Sequence, residues 1–179
     1  MLNGACVGPT DSSGVDTVVL DAGPVIHLDE IGCLHLLTDF KRILLPVAVS
    51  QEIEIHRSAA FQKNILFEKV ETVISETINA TCAMFSLDAG EIQAIGLCSQ
   101  YPASILLTDD ASARLTAKTL GIRAYGTIGV ILRATRRKQL SPGEVILKLE
   151  ELPAKSTLFI KQSLLNEIIG EVRRAYDIP

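Results

Sequence analysis

Short apolar runs and longer amphipathic stretches alternate along this chain. "TVVL" (Thr17–Leu20), "RILLPV" ending near Pro46, "SILLT" and "IRAY" are brief and rich in aliphatic residues. Such runs read as strands of a parallel sheet, buried on both faces. "NILFEKVETVI" is a further strand candidate with a more mixed pattern. Between the runs the period changes to that of a helix. In residues 26–40 the apolar positions Ile31, Leu34, Leu37 and Phe40 form one stripe, after a turn composed of Ala22, Gly23 and Pro24. Val49, Ile53 and Ala60 form a second stripe behind Pro46, which suits a helix start. A short helix is expected within residues 75–87.

The later helices carry clearer end signals. Asp88 and Glu91 have capping-box spacing ahead of Ile92 and Ile95, and Ser141 and Glu144 repeat it around Pro142. Asp109 and Asp110 lead into a helix that Gly121 closes. Thr127 is a candidate cap for "GTIGVILRATRRK", and "STLF" reads as a short extended piece. Leu164, Leu165, Ile168, Ile169 and Val172 predict a final helix. Strand and helix alternate throughout, which predicts an α/β domain around a central, mostly parallel sheet. Residues 1–16 fit neither period and are expected to be a flexible tail, leaving residues 17–179 as a single domain.

Composition narrows the picture. Of 179 residues, 47% are hydrophobic and only 4% aromatic, with no Trp, so the core must be aliphatic. No apolar run is long enough to cross a bilayer, and the first residues lack the basic start of a signal peptide; a cytoplasmic protein is expected. Cys6, Cys33, Cys82 and Cys98 are scattered singly, as small core residues usually are. His27, His35 and His56 lack metal-ligand spacing and are expected to be structural or superficial. The net charge of −4 is unlike that of a protein that coats nucleic acid. The dense basic run Arg133, Arg136, Arg137 and Lys138 suits a solvated helix end at least as well as substrate contact.

Carboxylates cluster at element boundaries. Asp21 follows the first strand, and Asp109 and Asp110 follow "SILLT". Glu52 and Glu91 lie early in helices. In an open parallel sheet, strand ends and the helix starts beyond them share one edge. Four segments can therefore bring acids to one crevice. Crowded carboxylates raise one another's pKa values, a penalty that a hard divalent cation removes. All-oxygen ligands favour Mg²⁺ or Mn²⁺, ions that activate water for phosphodiester hydrolysis. Each acid also has a plainer role: Asp21 as a turn residue, Glu52 on a solvated helix face, Glu91 in the capping box, Asp109 or Asp110 as an N-cap. No phosphate loop or nucleophile elbow is present.

"VVLDAGPVIHL", "LLPVAVSQEI", "DAGEIQAIGL", "ILLTDDASARLTAKTLGI" and "GTIGVIL" occur in an order that resembles PIN-domain proteins, in particular the toxin ribonucleases of VapBC-type toxin–antitoxin pairs. The resemblance implies a three-layer α/β/α fold. It also implies a metal-dependent endoribonuclease that binds Mg²⁺ or Mn²⁺ and cuts RNA, often as a homodimer, with an antitoxin that blocks its site. It assigns catalytic acids to Asp21, Glu52, Glu91 and Asp110, with Asp109 a neighbouring candidate ligand. Arg114 and Arg136 are candidate phosphate contacts. Two positions depart from the pattern. Ala22 stands where many relatives have Thr or Ser, and Ala113 precedes Arg114 where Gly is common. These departures leave a second reading open, a PIN-like module that binds RNA or protein with weak or no catalysis.

Overall fold

The computed structural model describes residues 17–179; the expected tail at 1–16, with Cys6, lies outside them. Five strands form one all-parallel sheet: β1 (Thr17–Leu20), β2 (Arg42–Pro46), β3 (Glu68–Val70), β4 (Ile105–Leu107) and β5 (Ala124–Tyr125). Their spatial order is β3-β2-β1-β4-β5, so β1 sits at the centre where the chain reverses its direction of travel across the sheet. Val18 pairs with Ile43 on one side and Ile105 on the other, and Val19 with Leu44 and Leu106.

Strand alternation splits these residues between two cores. Val18, Leu20, Ile43, Leu45, Ile105 and Leu107 face one layer, built by α1 (Ala22–Glu30), α2 (Val47–Arg57), α6 (Thr127–Arg136), α7 (Pro142–Lys155) and α8 (Gln162–Ala175). Val19, Leu44 and Leu106 face the other, built by α3 (Glu76–Met84), α4 (Ala89–Gln100) and α5 (Ala111–Thr119). The result is the three-layer α/β/α arrangement. Val18, Val19 and Leu20 are fully buried. Each such side chain contributes roughly 1.5–3 kcal/mol of burial, which is why the three buried positions of the central strand are all aliphatic, while Thr17 at its half-buried start is polar. Cys33, Cys82 and Cys98 are buried, as expected of small core residues.

Several elements differ from the expected ones. The segment Ala22–Gly23–Pro24 is not a turn but the first turn of α1, with Asp21 as its N-cap. Pro is tolerated there because first-turn N–H groups have no partner within the helix. The stripe through residues 26–40 divides: α1 stops at Glu30, Gly32 adopts φ +69°, and Leu34–Asp39 forms a 3-10 helix. Of "NILFEKVETVI" only Glu68–Val70 is strand. Gly126, not Thr127, caps α6, and Thr127 is that helix's first residue. "STLF" has no strand partner among the described residues, but Glu30 accepts hydrogen bonds from Ser156 Oγ and from Thr157 N at 2.8 Å each. The capping boxes at Asp88–Glu91 and Ser141–Glu144 both form.

Candidate active site

The C-terminal ends of β1 and β4 lie side by side, and the acids gather above them. Asp21 still belongs to the sheet through its N–H, which donates to Leu107 O at 2.9 Å. Its carboxylate then turns away from the strand. Oδ1 accepts the Ala22 N–H at 2.8 Å and Oδ2 accepts the Thr108 hydroxyl at 2.8 Å. The N-terminus of α1 favours the negative charge. A buried strand can therefore end on an acid because a helix start and a hydroxyl receive it.

Thr108 is fully buried and joins two of the predicted residues. Its Oγ1 donates to Asp21 and accepts the Asp110 N–H at 3.2 Å. Asp110 caps α5, taking the Ala113 N–H on Oδ1 at 2.7 Å. One hydroxyl thus links the first acid to the backbone of the last. It also brings a hydroxyl to Asp21 although Ala22 has none.

Glu52 and Glu91 approach from α2 and α4. A Cβ on Gly90 would lie 3.4 Å from both Glu52 Oε2 and Asp88 Oδ1, so the glycine leaves room for two carboxylates. The two helices are held together where Ala48 N–H, an orphan donor at the start of α2, reaches Gln93 Oε1 at 3.1 Å. Glu91 bends back in its capping box, with Oε2 accepting the Asp88 N–H at 2.9 Å.

The electrostatics record the crowding. Burial raises Asp21 to about 6, against the hydrogen bonds from Thr108 and Ala22, and the charges of Glu52 and Asp88 add to it. Burial likewise raises Glu91 to about 7, with the charges of Asp88, Asp110 and Asp21 adding and the Asp88 N–H opposing. Glu52 is raised by burial and by Asp88. Asp88 is thus a fifth acid of the crevice; from sequence it reads only as a helix cap.

Asp109 behaves differently from its neighbour. Its carboxylate accepts from Thr127 N at 2.8 Å and Thr127 Oγ1 at 2.6 Å, and meets His27 Nδ1 at 2.8 Å. Burial alone would raise its pKa, but these hydrogen bonds outweigh it and hold the acid below its ordinary value. Asp109 therefore clamps α1 and α6 onto the end of β4. Gly126 makes this possible, because a Cβ there would stand 2.5 Å from Asp109 Oδ1. Nothing in the spacing of His27 announced this role.

The two arginines part company. Arg114, in the first turn of α5, donates from Nη1 to Thr108 O at 3.1 Å, so it belongs to the crevice wall. Arg136 stands in the last turn of α6, nine residues of helical rise (~13 Å) from Thr127, and is not brought to the acids. The basic run around it is a helix end: Arg133 and Arg137 both pair with Asp39.

In these rotamers, among the described residues, no three His, Cys, Asp or Glu side chains converge on a point that would hold a metal ion. The hydrogen bonds explain the spread, since Glu91 is turned to Asp88 N–H and Asp110 to Ala113 N–H. The donor set still suits a hard divalent cation: carboxylates only, with two of them pushed up by burial and mutual charge. No helix among the described residues is long and apolar enough to cross a membrane.

A family model, DUF3368, described as a PIN domain, matches residues 17–174. No curated protein and no solved structure matches the chain.

Proposed function

Because this chain belongs to the PIN-domain family, whose members are generally nucleases, we propose that it is a metal-dependent endoribonuclease with its site in the acid crevice. One observation carries the reading: Asp21, from the first strand, is hydrogen-bonded through Thr108 to the backbone of Asp110, 89 residues later. Asp21, Glu91 and Asp110 would hold Mg²⁺ or Mn²⁺, with Glu52 completing the set. Asp109, committed to His27 and Thr127, is a positioning residue in this scheme. When bound, the cation supplies positive charge for the phosphate and activation of water for attack.

The chain's own residues do the rest. Thr108 fixes the rotamer of Asp21. Glu91 reaches inward by releasing the Asp88 N–H, which an exposed helix start can give to water. Arg114 offers a guanidinium beside the end of β4 for a phosphate oxygen. The resemblance of "VVLDAGPVIHL" and "ILLTDDASARLTAKTLGI" to toxin ribonucleases supports a toxin held in check by an antitoxin in the cytoplasm. Exposed Leu147, Phe159 and Leu164 on and between α7 and α8 offer apolar surface for a homodimer.

The test is cleavage of an unstructured RNA with Mn²⁺. Wild type should cut, while Asp21→Asn and Asp110→Asn should fall to background with folded circular dichroism spectra. Metal-independent cleavage, or an Asp21→Asn variant as fast as wild type, refutes the assignment. The spread of the acids in these rotamers favours one other reading, a PIN-like binding module. It predicts RNA retention without cleavage at any Mn²⁺ concentration.

A further inference from the structure

Asp21, Asp88, Glu91 and Asp110 each accept a hydrogen bond that fixes the carboxylate. Among the described residues, the carboxylate of Glu52 accepts none. Its place over the crevice is therefore set by where α2 sits.

The sequence of α2 does little to fix that helix at its start. Its N-cap is Pro46, which offers no side-chain acceptor to the N–H groups of the first turn. The core does not tie α2 to the helix of Glu91 either. Val49 and Ile53 of α2 belong to one hydrophobic layer, whereas Ala94 and Ile95 of α4 belong to the other. The two helices lie on opposite faces of the sheet and meet across its carboxyl edge.

Two contacts bridge that edge. Gln93 Oε1 accepts the Ala48 N–H at 3.1 Å, so the acceptor that Pro46 lacks comes from α4. A Cβ on Gly90 would lie 3.4 Å from both Glu52 Oε2 and Val49 Cγ2, so α2 is seated where the glycine leaves room. Ala48 and Glu52 are four residues apart on α2, and Gly90 and Gln93 are three apart on α4. Each pair therefore shares one helix face. Gln93 grips α2 one turn ahead of Glu52, and Gly90 receives the carboxylate itself. An amide does this without adding another negative charge to a crevice whose acids already repel one another.

We propose that Gln93 is a positioning residue of the metal-dependent site: by capping α2 from α4, it holds Glu52 in place beside Glu91. The inference rests on the metal-dependent reading of the crevice and adds to it a residue that acts through another.

Gln93→Leu and Gln93→Ala remove the acceptor and keep a good helix former in α4; circular dichroism checks that each is folded. In the metal-free protein, amide hydrogen exchange at Ala48 should be faster in both. It should return to the wild-type rate in Gln93→Glu, which keeps an acceptor. Mn²⁺ affinity, read from the paramagnetic resonance of the free ion, should fall roughly tenfold in Gln93→Leu. Gln93→Glu should bring it back at least to the wild-type level, but only while Glu52 is present. In the Glu52→Gln background, Gln93→Leu should cause no further loss, because nothing is left to position. Unchanged exchange at Ala48, unchanged Mn²⁺ affinity in Gln93→Leu, an additive loss in the double variant, or rescue by Gln93→Glu without Glu52 overturns the proposal. Wild type that binds Mn²⁺ but never cuts RNA refutes the ribonuclease reading and leaves Gln93 its role. RNA cleavage by wild type, with a Mn²⁺ affinity indifferent to Gln93, does the reverse. Wild type that binds no Mn²⁺ overturns both.

Discussion

Replacing Asp21 by Asn should make the metal-free protein more stable while it destroys catalysis. Burial and like charges raise this carboxyl from 3.8 to about 6. Ionising it in the folded state therefore costs about 3 kcal/mol relative to the unfolded chain. A raised acid pKa means that the folded state binds the extra proton between those two values. Stability contributed by the protonated form is accordingly lost as pH rises from about 4 to above 6. Asn carries no charge to desolvate. It keeps an acceptor for Ala22 N–H, but it replaces the acceptor of the Thr108 hydroxyl by an NH₂ donor. Since Thr108 Oγ1 already accepts from Asp110 N–H, that mismatch costs about 1 kcal/mol. The net gain at pH 8 is then ~2 kcal/mol, a rise in melting temperature of about 4–8 °C for a domain of this size. Urea denaturation in EDTA at pH 8 and at pH 4.5 (roughly the ordinary carboxylate range) checks this. The advantage of Asn should be present at the higher pH and absent or reversed at the lower. A variant less stable than wild type at pH 8, or a difference independent of pH, would falsify the burial argument.

Two further outcomes follow from the same geometry. Gly126→Ala places a Cβ 2.5 Å from Asp109 Oδ1, so Asp109 must leave Thr127 or α6 must shift; a loss of about 1–3 kcal/mol is expected, measured by chemical denaturation, and a neutral substitution would show that the clamp is slack. Mn²⁺ should stabilise wild type more at pH 8 than at pH 5, because protons compete for Asp21 and Glu91 below about 6 and 7; at a hundredfold excess over Kd the gain is about 2.7 kcal/mol, and calorimetric scans showing equal stabilisation at both pH values, or in Asp21→Asn, would place the ion elsewhere.

The elements with strong local signals were legible in the chain. The boxes at Asp88 and Ser141 and the stop at Gly121 involve only residues three or four positions apart, so spacing alone specifies them. The short runs around Val19, Leu44 and Leu106 predicted a parallel sheet because both faces of each strand had to be apolar. The extent of β3 and the break at Gly32 were less legible, since a mixed pattern suits more than one element until neighbours choose its partners. The place of Arg136 was open for a related reason: helix direction, not sequence distance, decides how far the last turn of α6 lies from Thr127.

What the sequence determined by itself is the class of chemistry: isolated carboxylates at the ends of apolar runs, with no competing nucleophile or phosphate loop. What only the tertiary structure decided is which acids face one another and which are already engaged. Asp109 and Asp110 are adjacent in the chain and equivalent in composition, yet one is held by His27 and Thr127 while the other caps α5 beside Thr108. Successive side chains at a strand end point to opposite sides. Whether a carboxylate meets a histidine, a hydroxyl or an open crevice there depends on helices that are distant in the chain and become neighbours only when the sheet has formed.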